Sequence, residues 1–177
     1  MNQQPDLLIR YARIDDAPLL AKLGARTFRE TFAADNKPED MAAYLASSFS
    51  SDLQAAELAD SQSIFLIAEI DGVAAGYAML RVGEAPDSVA GDKPIELVRL
   101  YAAKEWLGGG VGAALMQACI DEVKRRGYGT LWLGVWEHNS RARAFYRKWN
   151  FREVGTHIFW LGSDEQTDIL MALSLGE

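Results

Sequence analysis

In this 177-residue chain, the segment most suited to chemistry is Gly108-Gly109-Gly110-Val111-Gly112. Glycines let successive backbone N–H groups converge and approach an oxyanion closely, and a helix opening at the same place adds the positive end of its dipole. Such a segment cradles phosphate; the alternative is a flexible connector with no ligand. Gly108–Ala113 also fits the loose G-x-G-x-x-A dinucleotide pattern. Against that reading, the preceding apolar run ends several residues before Gly108, and no acid closes the next one at about 20 residues. Glu137 comes too late and leads into Asn139. The Lys-Ser/Thr pair of a P-loop is missing, which removes that reading.

Charge is distributed around this loop unevenly. Residues 1–96 carry 16 acids and 8 bases, Arg99–Arg152 carry 10 bases and 4 acids, and the chain from Glu153 onward has 5 acids and no base. A basic middle between acidic flanks suits an anionic ligand held beside a cationic one. The formal net charge of −7 argues against a nucleic-acid or anionic-membrane partner. His138 and His157 are too few and too isolated for a metal site, and none is expected. Cys119 falls on an apolar helical stripe and reads as packing.

Hydrophobic residues at 49% and charged residues at 24% describe a soluble globular chain, and its length suits one domain over 1–177. A single thiol, a start without basic and apolar leader regions, and the lack of an apolar run near 20 residues lead us to expect a cytoplasmic protein.

The elements that must position the loop follow from periodicity. Leu7–Arg13 predicts a strand, Leu19–Thr31 a helix opened by Asp15-Asp16-Ala17-Pro18, and Glu39–Phe49 and Asp52–Leu58 two shorter helices. Ser63–Glu69 and Val73–Arg81 read as a hairpin turned at Asp71-Gly72. Ile95–Ala102 is a strand. Val111–Arg126 is a helix whose Val111, Ala114, Leu115, Ala118 and Cys119 form one apolar stripe. Leu131–Val135 is a strand and Ser140–Trp149 a helix, with Asn150 in the left-handed position that ends it. Phe151–Val154, His157–Leu161 and Thr167–Ser174 read as three late strands. Strands alternating with helices before an antiparallel tail give a mixed α/β sheet.

Glu96-Leu97-Val98-Arg99-Leu100-Tyr101-Ala102, the glycine loop, and Asn139-Ser140-Arg141-Ala142-Arg143-Ala144-Phe145-Tyr146 together resemble the GNAT acetyltransferase superfamily. Its acetyl-CoA loop runs Arg/Gln-x-x-Gly-x-Gly/Ala, matched by Gly110 and Gly112; the first position here is Leu107, which leaves the cradle to backbone groups. Thr27-Phe28-Arg29-Glu30-Thr31-Phe32, Glu39-Asp40-Met41, Trp132–Glu137 and Glu165-Gln166-Thr167-Asp168 are similar to bacterial PaiA-type spermidine/spermine N-acetyltransferases. The resemblance implies an α/β (α+β) GNAT fold, a central mixed twisted sheet flanked by helices, with acetyl-CoA in the splayed cleft of the sheet.

It also implies roles. Acetyl-CoA, the one cofactor expected, would lie along Leu100, Tyr101 and Ala102, whose strand carries a bulge with a backbone N–H for the thioester oxygen. Leu107, Gly108, Gly109, Gly110, Val111, Gly112 and Ala113 would hold its phosphates. Asn139 would bond the pantetheine arm or simply cap its helix, and Arg143, Arg147 and Lys148 are candidates for the adenosine 3′-phosphate. Tyr146 is the family's general acid and also a candidate core aromatic. Glu96 is the candidate base, directly or through water, or an ordinary strand-end carboxylate. A small amine acceptor would sit among Phe28, Glu30, Tyr44, Glu84 and Trp136. Glu39, Asp40, Asp164, Glu165 and Asp168 make that side acidic, and Phe32 and Trp160 are further wall candidates. A polyamine fits best; other amines, a protein lysine or N-terminus, and a non-catalytic acyl-CoA sensor are alternatives. The late strands are a candidate homodimer surface.

Overall fold

The computed structural model describes residues 6–176. Strands β1 (Leu7–Tyr11), β2 (Ser63–Ile70), β3 (Val73–Val82), β4 (Pro94–Ala102), β5 (Thr130–Trp136), β6 (Arg152–Leu161) and β7 (Asp164–Ser174) form one seven-stranded sheet. Their order is β1-β2-β3-β4-β5-β7-β6. The turn at Asp71-Gly72 has φ of 50° and 79°, the backbone an Asp-Gly hairpin needs.

Every neighbouring pair is antiparallel except β4 and β5, which run parallel and touch only through Pro94–Glu96 against Thr130–Trp132. Beyond Glu96 the two strands part. The backbone N–H and C=O groups of residues 97–102 that face β5 therefore have no ladder partner, and such groups must find a ligand or water.

Helices cover both faces. α4 (Val111–Arg125) and α5 (Ser140–Lys148) pack on one, where Val111, Leu115, Met116 and Cys119 share a buried core with Leu66, Ala78, Leu80 and Leu97 of β2, β3 and β4. The stripe expected from spacing is that contact. α1 (Ala17–Phe32), α2 (Pro38–Ser48) and α3 (Ser51–Ala59) cover the other, burying Leu20 and Leu23 with Tyr77 and Met79 and Phe28, Met41 and Phe49 with Leu161. A fully buried side chain of this size contributes about 2 kcal/mol. Among the described residues, no helix is long and apolar enough to cross a membrane.

Two expectations need correction. The Phe151–Val154 and His157–Leu161 runs are one strand, β6, because the register slip between Glu153 and Gly155 absorbs Val154 as an extra residue and the ladder continues. That slip resets the alternation: Phe159 and Leu161 turn toward α2 while Ile158 and Trp160 are exposed on the sheet edge. The bulge in β4 also lies earlier than Leu100–Ala102. Leu97 pairs with Leu80 and Arg99 with Met79, so Val98 is the extra residue.

The bulge is pinned from α3. The Arg99 guanidinium donates to Glu57 at 2.7 and 3.1 Å and lies 5.2 Å over the Phe49 ring, with both side chains of the ion pair 14% exposed or less. Breaking such a pair leaves a buried charge uncompensated. Glu57→Ala is expected to cost about 3 kcal/mol and lower the thermal midpoint by roughly 6–12 °C; calorimetry checks this, and an unchanged midpoint would show that the pair does not hold the bulge.

Candidate functional site

The parting of β4 from β5 opens a cavity of about 1010 Å³ that reaches both faces of the sheet. Its floor on one side is the edge of β4 from Leu97 to Ala102, and on the other Gly134, Val135 and Trp136 of β5.

At one end lies the glycine loop. Gly108 and Gly110 have φ of 79° and 88°, and a side chain at either would meet open space. Backbone conformation, not crowding, demands glycine here. Gly110 precedes α4, whose first N–H groups, at Val111, Gly112 and Ala113, have no partner within the helix. Gly109 donates its N–H to the Trp106 carbonyl at 3.0 Å, which folds the loop back. Lys104, Arg141 and Lys148 also line the cavity, so the lining offers dipole, amide and cation together, a combination that can hold an anion.

At the other end the lining changes character. Phe28 and Phe32 of α1, Tyr44 of α2, Trp136 and Phe159 form a continuous aromatic wall, with Phe28 and Tyr44 stacked at 4.5 Å and Phe32 edge-on to Trp136 at 5.9 Å. Glu30 and Asp168 bring carboxylates to it. Glu30 is partly occupied, accepting from Arg26 and from the Lys104 backbone N–H. Burial holds the Asp168 carboxyl above the usual carboxylate range, against the opposing pull of His157.

Of the residues singled out from sequence, Phe28, Glu30, Tyr44, Leu100, Tyr101, Ala102, Leu107, Gly108, Gly110, Gly112, Ala113, Trp136, Asn139, Tyr146 and Lys148 line the cavity. Asn139 does two things at once: it lines the cavity, and its side chain accepts from the Ala142 N–H at 3.2 Å as the cap of α5. Tyr146 projects from α5 between Phe145 and Phe151, and burial raises its phenol, with Cys119 adding to the shift. The Cys119 thiol is itself pushed up to about 12 by burial, so it stays protonated.

Several others, Glu39 among them, are not in the lining. Gly109 and Val111 turn away, Val111 into the core. Glu84 stands on the loop after β3, beside the closed end of the β4–β5 pair. Glu96 occupies the last paired position before the strands part, its carboxyl raised by burial, against Arg81 and His157, which lower it. Arg143 is committed elsewhere: it donates to the Glu137 carbonyl and to Glu153, and Arg147 shares that carboxylate. Trp160 is exposed, and Phe159 takes the place expected of it. Asp40 is buried against the β6–β7 turn, and Asp164 and Glu165 line a smaller neighbouring depression. Sequence reading missed Lys104 and Arg141. Arg141 was within reach, since Arg141, Ala144, Phe145 and Lys148 recur at i, i+3, i+4 and i+7 and all four line the cavity.

Comparison with known proteins bears on what fills this space. The model of the Acetyltransferase (GNAT) family matches residues 26–151. An uncharacterised N-acetyltransferase of Lactobacillus delbrueckii subsp. lactis is 35% identical over 160 residues, covering 90% of this chain and 92% of its own. The crystal structure of a PaiA N-acetyltransferase from Thermoplasma acidophilum in complex with coenzyme A has a TM-score of 0.80 at 24% identity, over 96% of this chain and 99% of that one. The YncA structure of Salmonella typhimurium, a putative acetyltransferase with its cofactor acetyl-CoA, has a TM-score of 0.68 at 21% identity, over 97% and 95%.

A side chain at Gly110 carries the left-handed penalty of about 1–2 kcal/mol or forces the amides out of line. Gly110→Val is therefore expected to weaken acetyl-CoA binding about tenfold or more with the fold retained; titration calorimetry checks this, and unaltered affinity would remove the loop from the cradle. The match over residues 26–151, together with the relative spanning 90% of the chain, establishes that the chain belongs to the acetyltransferase (GNAT) family of acetyl-CoA-dependent N-acetyltransferases.

Proposed function

We propose that this enzyme transfers the acetyl group of acetyl-CoA directly to a primary amine of a small, slender polyamine of the spermidine/spermine type. The observation that carries the reading is the second arm of the cavity, an aromatic-walled passage with the Asp168 carboxylate on it. Aromatic faces pack a methylene chain, attract cations, and leave the carboxylates to meet an ammonium. The acidic flanks of the chain favour the approach of a polycation. The resemblance to PaiA-type enzymes supports the same choice.

Acetyl-CoA would lie along the unpaired edge of β4, with its phosphates on the Gly108–Gly112 amides and Lys104, Arg141 and Lys148 as the neighbouring cations. A backbone N–H near the Val98 bulge would meet the oxygen as it becomes negative, a donor fixed in place before reaction. The amine nitrogen attacks the carbonyl carbon, the N–C bond forms, and the π pair moves to oxygen. When the C–S bond breaks, its electron pair stays on sulfur, which takes the phenolic proton of Tyr146. Glu96 stands outside the lining, so its carboxylate reaches the amine only through an intervening group. The chain as a single catalytic unit over 1–177 belongs to this reading.

Thiol release from acetyl-CoA across polyamines, amino acids, aminoglycosides and lysyl peptides tests the acceptor. Selective turnover of spermidine or spermine is expected; turnover of another class alone would overturn the polyamine assignment, and binding without turnover would point to a sensor.

Tyr146→Phe is expected to lower kcat by about 100-fold or more with acetyl-CoA affinity kept. Because burial raises this phenol, it stays protonated past the ordinary value, and the parent's kcat is expected to hold to about pH 10 before any alkaline fall. Unchanged turnover in the variant would remove Tyr146 as the acid.

A further inference from the structure

We propose that Asp168 and His157 form a relay that carries protons from the attacking amine to solvent, a role that rests on the acetyltransferase reading above. The two residues are register partners on β7 and β6, with Asp168 Oδ2 3.4 Å from His157 Nε2. Asp168 lines the acceptor arm and its side chain is 14% exposed; the His157 imidazole, on the edge strand, is 40% exposed. The pair therefore joins a largely buried carboxylate of the cavity lining to a more exposed imidazole, and a neutral imidazole can take a proton on one ring nitrogen and release one from the other.

A second observation points to the same place. Gly134 interrupts a strand of large apolar residues, where glycine weakens the strand. A Cβ there would stand 3.1 Å from His157 Nε2 and 3.2 Å from Asp168 Oδ2. Gly134 itself lines the cavity, so the missing side chain leaves room in front of the pair. Loss of β5's side chain at this one position opens the relay to the acceptor.

The surrounding groups leave the pair free to act. On β4, Glu96 feels His157 and, from β3, Arg81. From α2 the Tyr44 phenol feels Asp168. Arg99 of β4 is held by Glu57, and Glu30 of α1 by Arg26 and the Lys104 N–H. Burial raises the Asp168 carboxyl, which makes it a stronger base than a solvated carboxylate. Among the described residues no cluster of three metal-ligating side chains includes the histidine.

Protons balance along this route. The acceptor enters as an ammonium and loses two protons, one before the nitrogen lone pair forms the N–C bond and one from the acidified nitrogen afterwards. Asp168 takes each in turn and passes it to His157, which gives it to water. Tyr146 regains from water the proton it gives to the thiolate, so each turnover releases one net proton.

The test uses the full chain, acetyl-CoA and the best amine of the panel, with kcat and KM followed against pH. Parent kcat is expected to fall on the acid side at a pH above aspartate's ordinary 3.8, since the base works only when deprotonated. Asp168→Asn should lower kcat about 100-fold or more and abolish that acid limb while acetyl-CoA affinity stays within about twofold. His157→Gln should lower kcat about tenfold, with recovery on adding imidazole. An Asp168→Asn variant with raised KM for the amine but intact kcat and acid limb would make Asp168 a cation site only and overturn the relay. So would a His157→Gln variant with parental kcat, which decides the matter if Asp168→Asn does not fold. A parent chain releasing no thiol with any amine would overturn the acetyltransferase reading and the relay with it, a different readout from either variant.

Discussion

Three parallel residue pairs join the two halves of this protein's sheet, and the fact that there are only three shapes everything around them. Pro94–Glu96 and Thr130–Trp132 hold β4 to β5; past them the strands separate and leave a row of backbone groups without partners. Hydrogen-bonding groups of this kind cannot stay buried and unmet. The gap is thus a slot prepared for an extended polar ligand before any ligand arrives. α4 reaches the slot because its apolar stripe packs on β2, β3 and β4, with Val111 at its N-terminus beside Gly76, the register partner of Ala102 at the open end of β4.

The two arms of the cavity are made of different material. The end at the glycine loop is backbone: two left-handed glycines and the first amides of a helix. The other end is side chain: five aromatic rings and two carboxylates drawn from α1, α2, β5, β6 and β7. Backbone amides carry no ionisable group and change little with sequence, whereas each ring and carboxylate is a separate choice. The arms are joined where the sheet is open, beside Val98, and that residue is fixed by the buried Arg99–Glu57 pair behind it.

The glycine-loop half of the cavity was legible in the sequence because its signals are local. Gly108, Gly110 and Gly112 announce themselves by residue type, the α4 stripe by spacing, and Asn139 and Asn150 by their positions at the ends of α5. What escaped depends on register and on distant partners. A one-residue slip at Val154 decides that Phe159 faces the cavity and Trp160 the solvent, and nothing in the local sequence marks it. Arg143 looked like a phosphate ligand until the fold brought Glu153 to it. Glu96 was rightly placed on the central strand, but its exclusion from the cavity follows from pairing with β5. His157 and Asp168 lie 11 residues apart in sequence, and only the β6–β7 ladder makes them neighbours.

The Asp40 contact gives the aromatic arm a fixed gauge. One carboxylate oxygen of α2 receives both the backbone N–H and the hydroxyl of Ser163, at 2.9 and 2.8 Å. Gly162 beside it has no room for a side chain, since a Cβ would stand 2.7 Å from the Asp40 backbone. One helical turn on, Tyr44 meets Phe159 edge-on at 5.4 Å. The helix and the hairpin are riveted at the tip, so the spacing of the two walls is set by a turn and not by the guest. If the acceptor enters here as proposed, a passage of set calibre would sort guests by cross-section before any charge is read, admitting a thread and stopping a ring.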